Sequence, residues 1–542
     1  MEPKTSASKL EPKNSETKAA LAQLIAINVN NILLMSNGMI AGYPTILIPG
    51  LSEDTSNRIE IAENEISWIG SISFATALIG CFLSGTITNP IGRSRSIHIA
   101  SPFVFGSWLI FNFASQVWHL YLALCLCGFF SSVIEAPIIS YKAEVSQPHL
   151  RGMLSATSTL FVIFGVLLEF ILGTFFHWKT VALISSAFPF IAFALLFFIP
   201  ESPHWLLMNA KIHQARRSLA WLRGWTTVDH IEKEYEKMLS DCKEFDNTTV
   251  FNHKPKWSQI ILNYTKKSFV WPLALVSFIY LLANVTGLVT LQTYAVNIFG
   301  TLQAPMDKYY ATVILGIVQV FGCFVSLFFV RYFGKRVTAF VSVLGVALCN
   351  VIVGIYAYVI DVKYLQFTNE TSEVHFSSNT WLPLCVLISM AFIGHVGLRA
   401  IPWILVGEVF SHKTRAVGCG IGSAVYSLLA FFANKTFLSM TLVMEISGNC
   451  LFYAETEGLS RQEFPDNVIA EKPVVLPSSS DRVQADSSDQ PIVAPEGSAN
   501  ESVLSESGKS SAVKEKSPAE GAIEKMKLRC RSLVKPPCRL DL

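Results

Sequence analysis

Charge is scarce in this chain. Asp, Glu, Lys and Arg make up 15% of its 542 residues, where a soluble domain carries about 25%; 51% are hydrophobic and the mean hydropathy is +0.43. That balance excludes an ordinary water-soluble globular protein and points to the bilayer. A net charge of +2 supplies no basic field, so no nucleic-acid partner is expected. The 11 cysteines lie mostly singly within apolar runs, and Cys125 and Cys127 are too close on a helix to frame a metal site alone. A disulfide or zinc framework is therefore excluded, and no metal or other cofactor is expected. Nucleotide-binding glycine loops and nucleophile–base pairs are also missing, so the chain is not expected to be an enzyme. A cleavable leader is not expected either, because residues 1–19 are polar and Lys-rich and the first apolar run begins at Ala20.

What the chain has in abundance is apolar helix. A hydrocarbon core of about 30 Å takes about 20 residues of helix to cross, and that ruler lays out eleven spans. They are Ala20–Gly42, Ile66–Ile87, Ile97–Ser115, Leu120–Ser140, Met153–Phe175, Lys179–Ile199, Val270–Phe299, Ala311–Val330, Val337–Ile360, Trp381–Leu405 and Ala416–Thr436. The fold class expected is an all-α membrane protein. Its parts are a polar tail over 1–19, a transmembrane half over 20–200 and a linker with short amphipathic helices over 201–268. A second half over 269–437, a truncated region over 438–460 and a Ser-, Pro- and Glu-rich disordered tail over 461–542 complete it.

Basic turns fall on alternate sides. Arg93 and Arg95, Arg151, the linker, Lys335 and Arg336, and Lys413 and Arg415 all follow even-numbered spans, which places the N-terminus in the cytoplasm. The loop with Asn369-Glu370-Thr371 then lies outside, where Asn369 is a candidate glycan acceptor.

The two halves repeat each other. "IGRSR" at Gly92 is followed two spans later by "AEVSQPHLRG", and "FGKR" at Gly334 two spans later by "GEVFSHKTRA"; Glu144 precedes Arg151 by the same step as Glu408 precedes Arg415. Carriers built from two such halves hold their solute between them near the midplane and rock around it.

With "PESPHWLL" (Pro200 to Leu207), "GLRAIPWILVGEVF" (Gly397 to Phe410) and "NKTF" (Asn434 to Phe437) added, the chain from about Ala20 to Glu463 resembles the sugar porters of the major facilitator superfamily, and within them the insect trehalose-carrier branch. The resemblance implies a fold of two six-helix pseudo-repeats and a multi-pass protein of the plasma membrane. It implies facilitative, alternating-access transport of a sugar or polyol. It also implies that Arg93, Glu144, Arg151, Glu201, Lys335, Glu408 and Arg415 form a cytoplasmic gate, although positive-inside charge alone accounts for basic turns. The acids need partners at a membrane boundary.

The solute positions depart from the family pattern. Of the seventh span's polar residues only Asn284 remains; Thr159 stands where glucose carriers have Gln, Gln319 is a usable amide in the eighth span, and Tyr426 replaces the family's Asn in the eleventh. Asn284 and Gln319 also read as interhelical hydrogen bonds, and Thr159 as packing. Trp403 survives as an aromatic plate, whereas Arg399 replaces a glycine. At spacings of four, His395, Arg399 and Trp403 are expected to share one helix face, with Arg399 reaching either the central cavity or the cytoplasmic boundary. That added cation favours a non-sugar or anionic solute as the alternative cargo. A transport-incompetent sensor or partner protein is the other alternative, because "AETEGLS" follows "NKTF" too soon for a twelfth span, which is therefore expected to be missing or truncated. No acid occurs in the first span, so proton coupling is not expected.

Overall fold

The computed structural model describes residues 11–54, 59, 61–147, 150–248, 265, 267–302, 305–360, 365, 381–410 and 415–460. All regular structure among them is helical, as a bilayer without water to satisfy backbone groups requires. In the first half, α1 (Glu11–Glu53), α2 (Glu63–Ile91), α3 (Arg93–Asn112), α4 (Val117–Val145), α5 (Arg151–Phe175) and α6 (Trp178–Leu196) follow one another. Three short helices, α7 (Pro203–Met208), α8 (Ile212–Leu222) and α9 (Val228–Thr248), make up the described part of the linker. The second half holds α10 (Lys267–Val285), α11 (Leu288–Thr293), α12 (Ala295–Thr301), α13 (Lys308–Val359), α14 (Trp381–Val396), α15 (Ile401–Val409) and α16 (Arg415–Ser460).

Each of the eleven expected spans falls on helix, but several are not single rods. The seventh breaks at Gly287, where φ of +74° interrupts α10 before α11. The eighth and ninth join through Gly334, at φ +77°, into the 52-residue α13. The tenth is cut between α14 and α15, and Pro402 opens the second piece. This last break corrects the expected stripe: His395, Arg399 and Trp403 do not lie on one continuous helix, because residues 397–400 form turns and Arg399 N–H bonds five residues back, to Gly394 O, at 2.9 Å.

The eleventh span carries no stop at Thr436, since α16 continues to Ser460. Side chains beyond Thr441 and the tail after Ser460 lie outside the description, as do Asn369 and the side chains of Arg151, Glu408 and Arg415.

Packing follows the repeat. In the first half α2 lies on α4, α3 on α4 and α6, and α1 on α5; across the halves α2 lies on α16 and α5 on α13. The first half's core is Trp108, Tyr43, Phe111 and Tyr141 with aliphatic residues around them. Outward faces carry Phe82, Phe103, Phe198, Phe328 and Leu348, more than half or nearly half exposed. In water such faces would associate; against lipid they are at home.

Candidate functional site

Three aromatic rings from separate helices of the second half meet at the centre. Tyr280 on α10 lies 5.5 Å from Trp403 on α15 and 5.3 Å from Tyr426 on α16, and Trp403 and Tyr426 are 5.5 Å apart, all with tilted or edge-on planes. Such geometry suits aromatic quadrupoles. The Arg399 guanidinium stands 5.5 Å above the Tyr426 ring, within range of a cation–π attraction of about 0.5–2 kcal/mol. Arg399, Trp403 and Tyr426 are half-buried, so part of each remains reachable.

Buried polar atoms without protein partners lie on the helices of the same half. Asn284, one turn beyond Tyr280, is buried and donates Nδ2–H to Tyr280 O at 2.8 Å, leaving its Oδ1 unpaired. The Tyr280 hydroxyl, Gln319 Oε1, His395 Nε2 and Arg399 Nη1 are likewise buried with no protein partner. His395 uses its other nitrogen, Nδ1, on Ala391 O at 2.8 Å. It packs beside α13, where a side chain at Gly322 would meet the His395 Cβ at 3.1 Å. Gln319 precedes Cys323 by one turn of that helix. An unpaired buried polar group costs about 1–3 kcal/mol, so each of these atoms favours a partner. Thr159 is half-buried on α5 beside Ser158, which accepts from Lys142.

The sequence reading missed three charged residues inside the spans of the first half. Glu135 sits in α4, one turn before Ile139, and Ile139 packs on the same cluster as Tyr280, Trp403 and Tyr426. Glu169 is wholly buried in α5, accepting from Ser185 on α6 at 3.0 Å. Lys142 is buried in α4 and donates to Asn31 Oδ1 at 2.7 Å and to Ser158. The available signal was simple: a charge inside an apolar span has a reason to be there.

At the basic end, Arg93, Glu144 and Glu201 come together. Arg93 pairs with Glu144 through Nη2 at 3.0 Å and Nε at 3.1 Å, and Ser202 donates to the other Glu144 oxygen. Glu201 caps α3, accepting backbone N–H of Arg93, Ser94 and Arg95 at 3.0, 2.9 and 3.2 Å; a carboxylate belongs at the positive end of a helix. Gly92 makes the cap feasible, with φ +116° and space where a Cβ would fall 2.6 Å from Glu201 Oε2. Lys335 is half-buried in α13 at the second basic turn.

The opposite end joins the halves directly. Lys308 at the start of α13 pairs with Glu53 at the end of α1 at 2.7 Å, and Tyr309 donates its hydroxyl to the same carboxylate at 2.9 Å. Thr45 donates to Gln292 O at 2.5 Å and Ser67 to Lys435 O at 3.0 Å. The Lys435 ammonium lies 3.9 Å over the Trp68 ring.

Two pseudo-repeated helical halves, meeting around an aromatic site with unpaired polar groups, define a multi-pass membrane carrier of the major facilitator fold. The chain belongs to the sugar (and other) transporter family, whose pattern it matches over residues 17–455. It is 26% identical over 436 residues to the facilitated trehalose transporter Tret1 of Bombyx mori, covering 80% of this chain and 81% of that protein. To the Tret1 of Apis mellifera ligustica it is 27% identical over 433 residues, with 80% and 82% covered. In fold it is similar to the proton:xylose symporter XylE bound to 6-bromo-6-deoxy-D-glucose, at TM-score 0.63 and 18% identity over 80% of this chain and 94% of that one. The human organic anion transporter MFSD10 is similar at TM-score 0.54 and 12% identity, over 81% and 98%. The chain is thus a carrier-family protein and not an enzyme.

Proposed function

We propose that this protein moves a sugar or polyol down its gradient across the plasma membrane by alternating access, with its N-terminus in the cytoplasm. The observation that carries this reading is the presence of a half-buried aromatic pair, Trp403 and Tyr426, in the same half as buried, unpaired amide oxygens. A pyranose ring lays its apolar face on Trp403 while its hydroxyls donate to Asn284 Oδ1 and Gln319 Oε1, with Tyr426, His395 and Thr159 as further lining. The Glu53–Lys308 contacts correspond to closure on the outer side, so the site opens toward the basic face, where Arg93, Glu144, Arg151, Glu201, Lys335, Glu408 and Arg415 form the gate that engages when the site faces outward. Trehalose is supported as a cargo by the similarity to insect trehalose carriers.

Uptake of labelled trehalose, glucose and a polyol into oocytes expressing the full chain is the test. Saturable flux reduced at least tenfold by Trp403→Ala is expected, and absence of flux at normal surface expression overturns the reading. Arg399 favours a second one, a non-sugar or anionic solute. Under it Arg399→Gly abolishes uptake from a labelled carboxylate panel, whereas under the first it preserves or broadens sugar flux.

A further inference from the structure

The geometry points to a second class of cargo for the same site: a zwitterion, its ammonium held by Glu135 and its carboxylate by Arg399, with its apolar body on the rings of Tyr280, Trp403 and Tyr426. This rests on the reading that the aromatic site between the halves is the transport path.

The placement of Glu135 carries the inference. Residues four apart on a helix share a face, and Ile139, four after Glu135, packs against the second half's apolar cluster that contains Tyr280 and that Trp403 and Tyr426 also join, so the Glu135 face of α4 is turned to the second half. Glu135 and Arg399 are each half-buried as whole residues, and Arg399 Nη1 is itself buried without a protein partner. Among the described residues no ion pair within 4 Å uses either one.

Charge inside a membrane protein is costly and is normally paired. Here one charge of each sign, contributed by opposite halves, faces a single aromatic cluster. A sugar hydrogen-bonds to both heads but neutralises neither. A lone cation would meet the Arg399 field, and a lone anion the Glu135 field. A zwitterion balances both, and electron-rich ring faces favour its ammonium end. Because the heads belong to different halves, a zwitterion bridging them would also draw the halves together, which is how binding is converted into rocking.

The test is ligand-induced thermal stabilisation of the purified full-length protein in detergent, with L-proline and glycine betaine as zwitterions, choline as cation, propionate as anion, and trehalose and glucose as sugars. The zwitterions are expected to raise the melting temperature at concentrations where choline and propionate do not, and Glu135→Gln and Arg399→Gln are each expected to weaken zwitterion binding about tenfold or more. Glu135→Asp, which keeps the charge, should retain part of it. Stabilisation by choline or propionate equal to that by the zwitterions overturns the proposal, as does zwitterion binding unchanged in Glu135→Gln, or no zwitterion effect on wild type. The wild-type panel decides even where a variant fails to fold. Sugar stabilisation without zwitterion stabilisation removes this inference and leaves the sugar-carrier reading standing, whereas the reverse result removes sugar as the cargo.

Discussion

Single residues at the basic end are held by contacts tight enough to forecast. Replacing Gly92 by Ala puts a Cβ 2.6 Å from the Glu201 carboxylate on a backbone at φ +116°, a region where side chains are disfavoured by roughly 1–2 kcal/mol before the clash is counted. Gly92→Ala should therefore lower the melting temperature of the purified protein by several degrees, and an unchanged melting curve would refute the capping role of Glu201. Glu144 is largely shielded, and its loss strands Arg93. Glu144→Gln should destabilise by up to about 3 kcal/mol, and in the same assay Glu144→Asp should be milder. The residue types at this end were legible, because Gly92, Arg93, Glu144 and Glu201 stand in motifs with fixed spacing. Glu135 was not, because one acid in a long apolar run has no partner in sequence and its surroundings are set only when its neighbour Ile139 packs on the cluster containing Tyr280, a residue 145 positions beyond Glu135 by numbering.

Helices show a different division. Apolar length alone located every expected span, since the bilayer sets a minimum that the chain must meet. It did not locate the breaks, which depend on local partners for freed backbone groups. At the first break the Thr286 carbonyl leaves the helical ladder and Asn350 of α13 donates to it at 3.2 Å. At the second, Ser342 of α13 donates to Ile393 O at 2.7 Å and accepts from Leu398 N–H at 3.1 Å. One helix thus supplies both repairs from residues eight apart, and hydropathy is blind to them. Ser342→Ala removes a donor and an acceptor from a buried turn, each worth about 1–3 kcal/mol. It should loosen the Arg399 turn, read as faster modification of a cysteine placed at Ala400 in an otherwise accessible-cysteine-free protein; equal rates in both backgrounds would show that the turn holds itself.

At the scale of the whole molecule, the two ends are built on different terms. Glu53, Lys308 and Tyr309 tie one half to the other, whereas the described Arg93–Glu144–Glu201 contacts stay within the first half and its linker. Exposed ion pairs contribute about 0–1 kcal/mol, so this pair adds little to the cost of separating the halves at that end. Glu53→Gln should shift the population toward the state open at that end by about fivefold or less, measured as labelling of a cysteine at Thr45; protection as complete as in wild type would mean that the remaining contacts suffice. The linker helices belong mechanically to the first half. Ser218 donates to Glu201 O, Arg223 reaches Val145 O at 3.5 Å, and Gly224 packs on Lys18. An antibody fragment raised against α8 and α9 would accordingly serve as a handle on one half alone, adding mass for imaging while leaving the protein free to turn over.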